Sequence, residues 1–153
     1  MVEKSLPYWK NFHTIVFDFD GVFTNNKVYI NEEGKELIRC DRSDGLAIEL
    51  LNLFKKKKNL DLEFFILTRE KNKVVMQRAE KLKIKCFYGI NNKLEFIKKF
   101  LFEKSLSNEG LIYLGNDIND IDSMNYAGYS VAPCDAHKSV IEIADIVINK
   151  KGG

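Results

Sequence analysis

The chain of 153 residues carries 24 basic and 22 acidic side chains, a formal net charge of +2, and 45% hydrophobic residues. That length suits one domain, 1–153, with a normal core, and the even spread of charge excludes a nucleic-acid or anionic-membrane footprint. Cys40, Cys86 and Cys134 stand far apart without a CxxC spacing, which argues against a disulfide framework or zinc site and for a reducing, cytoplasmic setting.

In chain order, Met1 to Phe12 is polar, holds Pro7 and Trp9, and lacks the apolar core of a signal peptide. No stretch reaches membrane-spanning length, so neither export nor anchoring is expected. Ile15 to Phe17 reads as a buried strand ending in Asp18-Phe19-Asp20-Gly21-Val22. Carboxylates directly after a buried parallel strand lie at the carboxyl edge of the sheet, where open α/β folds bind ligands. Alternation puts Asp18 and Asp20 on one side, and their repulsion asks for a divalent cation or a shared proton.

Lys27 to Ile30, Asn31-Glu32-Glu33-Gly34, and Lys35 to Cys40 predict two strands around a tight turn. So close behind the Asp18/Asp20 loop, this hairpin (27–40) should stand over it as a flap rather than extend the sheet. Asp44-Gly45 reads as an N-terminal cap. The helix-like stretch Leu46 to Phe54 follows, with Leu46, Leu50 and Leu53 as its core stripe and Lys55 to Lys58 as solvated cations complementing the helix dipole.

Further strands are predicted at Phe64 to Leu67, Leu111 to Leu114, Val131 to Ala132 and Ile146 to Ile148. Two more helical stripes, Val75/Ala79/Leu82 and Leu94/Ile97/Leu101, lie between them. Strand alternating with helix gives an α/β fold: a Rossmann-like, mostly parallel sheet with helices on both faces. His13 and His137 read as a strand-entry residue and a helix-start polar group, and Arg78 as an exposed helix charge.

Four of the loops after these strands begin with residues suited to phosphoryl transfer: Asp18 and Asp20, then Thr68, then Lys93 at a helix head, then Gly115-Asn116-Asp117 with Asp120 beyond. Singly, each is unremarkable, since a Thr after a strand is usually a cap and a Gly-Asn-Asp usually a turn. Together and in this order they resemble the haloacid dehalogenase superfamily of phosphohydrolases. In a response-regulator receiver domain the acidic residues all precede the Lys, whereas here the last acidic loop follows it.

The resemblance implies that Asp18 is the nucleophile and Asp20 the general acid and base. Thr68 and Lys93 would hold the phosphoryl oxygens. Mg²⁺ would be held by Asp18, the Asp20 carbonyl and the Gly115-Asn116-Asp117 loop. The commonest pattern has Asp directly after that Gly; here Asn116 stands there, so the third ligand is Asn116 or Asp117. With no domain-sized insertion between motifs, a large cap is excluded.

Stretches such as DFDGVFT, DRSDGLAIELL, NNKLEFI and YLGNDINDIDSM are similar to the small capless branch that includes the 3-deoxy-octulosonate 8-phosphate phosphatases. That branch closes its sites by tetramerisation, so a homotetramer acting on a sugar-acid phosphate is implied, with Asp44 and Gly45 beside the substrate. Members usually continue past the Gly-Gly with an Arg-Glu-containing tail that reaches a neighbouring subunit's site, whereas this sequence stops at Gly152-Gly153. Octulosonate phosphatases usually read Gly-Arg after the Thr; here Arg69-Glu70 follow, as in nonulosonate 9-phosphate relatives. A carboxylate at Glu70 suits hydroxyls or an amine better than a sugar carboxylate. YLGNDINDIDSM and SVAPCDAH also resemble the phosphatase-like domain of acylneuraminate cytidylyltransferases, which leaves a catalytically weak assembly module as the alternative.

Overall fold

The computed structural model describes residues 8–153, so the reading of Met1 to Phe12 lies partly outside the described residues. Eight strands and five helices follow in order: β1 Thr14–Phe17, β2 Thr24–Ile30, β3 Glu36–Cys40, α1 Ser43–Lys58, β4 Glu63–Leu67, α2 Lys73–Leu82, β5 Lys85–Phe87, α3 Lys93–Glu103, β6 Leu111–Leu114, α4 Ile121–Tyr126, β7 Tyr129–Pro133, α5 Lys138–Ile143 and β8 Ile146–Ile148. Six strands form one parallel sheet in the order β5-β4-β1-β6-β7-β8. β1 is central, and the chain leaves it first toward β4 and β5, then returns to its other side at β6. That reversal opens a crevice at the carboxyl ends of β1 and β6.

The strands are apolar because both sheet faces are covered. β4 shows the division within one strand: Phe65 and Leu67 join Val16, Leu111, Tyr113 and Ile97 on one face, while Ile66 points to Phe19, Ile48, Val75 and Leu82 on the other. The first cluster packs under α3, α4 and α5, the second under α1 and α2. Asn72 starts α2 by accepting the Val74 amide, and Asn92 starts α3 by accepting the Glu95 amide. α1 ends at Asn59 and α2 at Lys83, both in the left-handed conformation.

β2 and β3 pair only with each other, antiparallel, so the hairpin is a separate flap as expected. Its register shifts between Thr24 and Val28, where Asn26 takes a positive φ of 59°. At the opposite end, Gly152 is pressed against the backbone of the β1 loop: a Cβ there would lie 2.0 Å from the Gly21 carbonyl oxygen. The Gly153 amide donates to the Val22 carbonyl.

Three expectations need correction. Leu46, Leu50 and Leu53 are not core: they are 59%, 56% and 63% exposed, and α1 instead turns Ile48 inward. Asp44 is not the cap of α1 but lies in its first turn, while Asp41 accepts the Ser43 amide and hydroxyl. Arg78 is not a free exposed charge; it is largely buried, donates to the Asp41 carbonyl and pairs with Asp44 at 3.2 Å, tying α2 to α1. β5 was not anticipated, being a three-residue edge strand led by a lysine. The three cysteines are free. Among the described residues no helix is long and apolar enough to cross a membrane.

Candidate active site

The first loop is an extension of β1. The Asp18 amide donates to the Leu114 carbonyl, which carries the ladder one residue past the strand. Phe19 then drops into the core, so Asp18 and Asp20 both face the crevice. Gly21 turns the chain with a φ of +77°, and a Cβ on it would sit 1.9 Å from the Asn116 side-chain nitrogen. No other residue serves both the turn and that approach. Thr24 fastens the turn by accepting the Gly21 amide at 3.1 Å.

Thr68 lies directly after β4, buried, with its hydroxyl accepting the Glu70 amide at 3.0 Å. Lys93 opens α3 and is 3% exposed. Its Nζ donates to Asp18 Oδ1 and to Asp120 Oδ1, each at 2.7 Å. Asp120 is fully buried. Besides Lys93 it accepts the Tyr113 hydroxyl at 2.7 Å and the amides of Asn116 and Asp117 at 3.0 and 3.3 Å. Gly115 permits this wrap, since a Cβ there would meet Asp120 Cβ at 2.6 Å.

Lys93 is thus one cation between two buried carboxylates. Burial raises Asp120, but Lys93 and the donors around it more than offset that, so it stays ionised below the ordinary carboxylate range. Asp18 has fewer donors: burial pushes it up to about 8, Lys93 opposes the shift and Asp120 adds to it. Burial lowers Lys93, yet the two carboxylates hold it above its usual range and charged. Asp20 is raised by burial and then by the carboxylate of Glu70.

A cavity of about 310 Å³ collects Asp18, Asp20, Thr68, Arg69, Glu70, Asn116 and Asp117. Eight of the ten expected site residues therefore meet: these seven line the cavity, and Lys93 lies behind Asp18. Asp44 and Gly45 do not line it, Asp44 being engaged with Arg78. His137 accepts the Ser139 amide as the cap of α5, and His13 bonds Thr14 and the Ser107 carbonyl at the other sheet edge. A larger hollow of about 730 Å³ lies at that far edge, where Lys104 pairs with Glu63. It holds none of the phosphoryl-transfer residues.

The roles of Tyr113 and Asp120 were not seen in the sequence. Tyr113 looks like any core residue of an apolar strand. Asp120 carried a signal: an acid three residues after Asp117, at the distance where a side chain reaches back to loop amides.

Asn116 and Asp117 differ in engagement. Asp117 Oδ1 accepts the Ile118 amide at 2.7 Å as part of a capping box. Asn116 Oδ1 is buried with no hydrogen-bond partner. An orphaned buried acceptor of this kind fits a cation ligand. Among the described residues no three His, Cys, Asp or Glu side chains cluster as a metal site.

Residues 41–152 match the haloacid dehalogenase-like hydrolase family. The chain belongs to that family. It is 32% identical over 145 residues to the 3-deoxy-D-manno-octulosonate 8-phosphate phosphatase KdsC of Escherichia coli K12, covering 94% of this chain and 74% of the relative. A HAD-family hydrolase structure from Streptomyces avermitilis superposes with a TM-score of 0.88 at 36% identity, covering 97% of this chain and 82% of that one. The Moraxella catarrhalis octulosonate 8-phosphate phosphatase, solved with magnesium, phosphate and KDO, gives a TM-score of 0.84 at 22% identity, covering 95% and 80%; that likeness carries the fold. Within the haloacid dehalogenase-like hydrolases this is a capless phosphatase: between β1 and β4 stand only the β2-β3 flap and α1.

Proposed function

We propose that the chain is a Mg²⁺-dependent phosphomonoesterase that hydrolyses a sugar-acid phosphate through an aspartyl-phosphate intermediate. The observation that carries this is Lys93 held between Asp18 and Asp120, behind a cavity that also presents Asp20 and Thr68. Asp18 attacks phosphorus, and the ester P–O bond breaks as the Asp18–phosphorus bond forms. Asp20, whose carboxyl is raised above the ordinary carboxylate range by burial and then by Glu70, protonates the departing alkoxide. Asp20 then takes a proton from the water that cleaves the aspartyl phosphate and frees Asp18. Thr68 and Lys93 hold the phosphoryl oxygens, and Asp120 keeps Lys93 charged and aimed.

Asp18, the Asp20 carbonyl and Asn116 would hold the Mg²⁺, with Asp117 given over to its cap. When bound, the ion supplies positive charge against the phosphoryl oxygens. The all-oxygen donor set and the magnesium complex of the Moraxella relative support this choice.

The substrate is an octulosonate 8-phosphate or a nonulosonate 9-phosphate. The KdsC relatives support the first. Glu70 supports the second: its Oε1 is pinned by the Lys71 and Asn72 amides at 2.7 and 2.8 Å, which fixes a carboxylate where a substrate carboxylate would be repelled. The exposed leucines of α1 and the exposed Val28, Tyr29, Ile30 and Leu37 of the flap support assembly into a homotetramer.

The test is phosphate release with Mg²⁺ from a panel of both sugar-acid phosphates and simple hexose phosphates. Selective turnover of a sugar acid, abolished in Asp18→Asn with the fold retained, is the expected result. Surviving activity in Asp18→Asn would sink the mechanism. No turnover of any compound would leave the assembly module in its place.

A further inference from the structure

A second cavity, of about 180 Å³, opens between the flap and α2 and shares Asp20, Asn26 and Glu70 with the phosphate cavity. Its walls are apolar: Val28 and Ile38 from the flap, Val74 and Val75 from α2, and Phe19 beneath. Its rim is acidic, because Glu36 joins Asp20 and Glu70, and no cationic residue lines it. Glu36 is fixed there by the Asn72 side-chain amide, which donates to Oε2 at 3.1 Å and couples the flap to the start of α2. Asn26 reaches the junction of the two cavities from the strained left-handed residue at the flap's register shift.

These features select a ligand group. The carboxylates of Glu36 and Glu70, with no cation beside them, reject an anion, so a sugar carboxylate cannot lodge here. A hydroxyl would satisfy the rim and leave the apolar walls empty, and an ammonium would do likewise. An N–H donor carrying a short alkyl group satisfies both. Resting on the sugar-acid phosphatase reading above, we propose that this cavity is the subsite for an N-acylamino substituent of the substrate. The N–H donates to the acidic rim, the carbonyl accepts from the Asn26 side-chain amide, and the methyl packs on Val28, Ile38 and Val74.

The test compares three nonulosonate 9-phosphates that differ at one carbon, bearing acetamido, free amine or hydroxyl, beside octulosonate 8-phosphate and a simple aryl phosphate. The acetamido compound should exceed the hydroxyl compound in kcat/KM by at least about tenfold. Val74→Phe, and independently Val28→Phe on the exposed flap, should collapse that preference to within about twofold with an unchanged melting transition. Equal turnover of acetamido and hydroxyl compounds, a preference for the amine, or a preference that survives both variants overturns the subsite. Turnover of octulosonate 8-phosphate alone also overturns it while leaving the phosphatase reading standing. An enzyme inert even to the aryl phosphate removes both.

Discussion

At the scale of single residues, the site turns on how one lysine is divided between two acids. Lys93 stands 2.7 Å from each, but Asp120 has three further donors whereas Asp18 has only the Phe19 backbone beside it. Asp120→Asn would leave the Lys93 ammonium half-paired in a dry setting. Breaking a buried pair costs about 3–5 kcal/mol, so urea unfolding should show a loss of that order and kcat should fall by at least about a hundredfold.

Asp18 gives a pH prediction. Its carboxyl, raised to about 8 in the metal-free chain, must lose its proton to ligate a cation. Mg²⁺ affinity should therefore climb about tenfold per pH unit below 8 and level off above it. Calorimetry in two buffers of different ionisation enthalpy reads the released proton directly. That Asp18, Asp20, Thr68 and Lys93 meet at one sheet edge was legible from their joint order after strands and at a helix head, not from any one of them. Tyr113 was not, because its hydroxyl finds Asp120 only through the turn that Gly115 allows.

At the scale of elements, the β1 loop tolerates little change. Gly21→Ala would force a side chain into the left-handed region and into the Asn116 amide. Stability should drop by more than about 1 kcal/mol, and phosphate release should be lost even where the melting transition persists. α1 behaves in the opposite way. Its Leu46/Leu50/Leu53 spacing announced an amphipathic helix correctly and its buried face wrongly, because the helix has apolar residues on two sides and spacing alone does not say which side meets the sheet. On the proposed assembly, Leu50→Glu should leave the helix content unchanged and shift the species seen by size-exclusion chromatography with light scattering to lower mass. The flap was legible because its turn residues Asn31 and Gly34 separate two short runs, and the Asn31 side chain does close that turn by accepting the Glu33 and Lys35 amides. The short strand β5 was not, since three residues beginning with lysine carry no periodicity.

At the scale of the whole molecule, parallel topology and helices on both faces followed from the alternation of apolar runs and stripes, while the strand order did not. Order depends on which side of β1 each returning strand pairs, a long-range choice that periodicity along the chain does not record. The docking of Gly152 and Gly153 onto the Gly21 to Asn25 turn has a consequence of another kind. The loop that carries Asp18 and Asp20 is braced by residues far along the described chain, and closing so long a loop comes late in folding. Helices and strands can assemble first, with Asp18 already in place but its supporting turn unbraced. A refolding chain should therefore regain its circular-dichroism signal ahead of its catalytic competence, and the interval between the two measures how long Gly152 and Gly153 take to find the Gly21 to Asn25 turn.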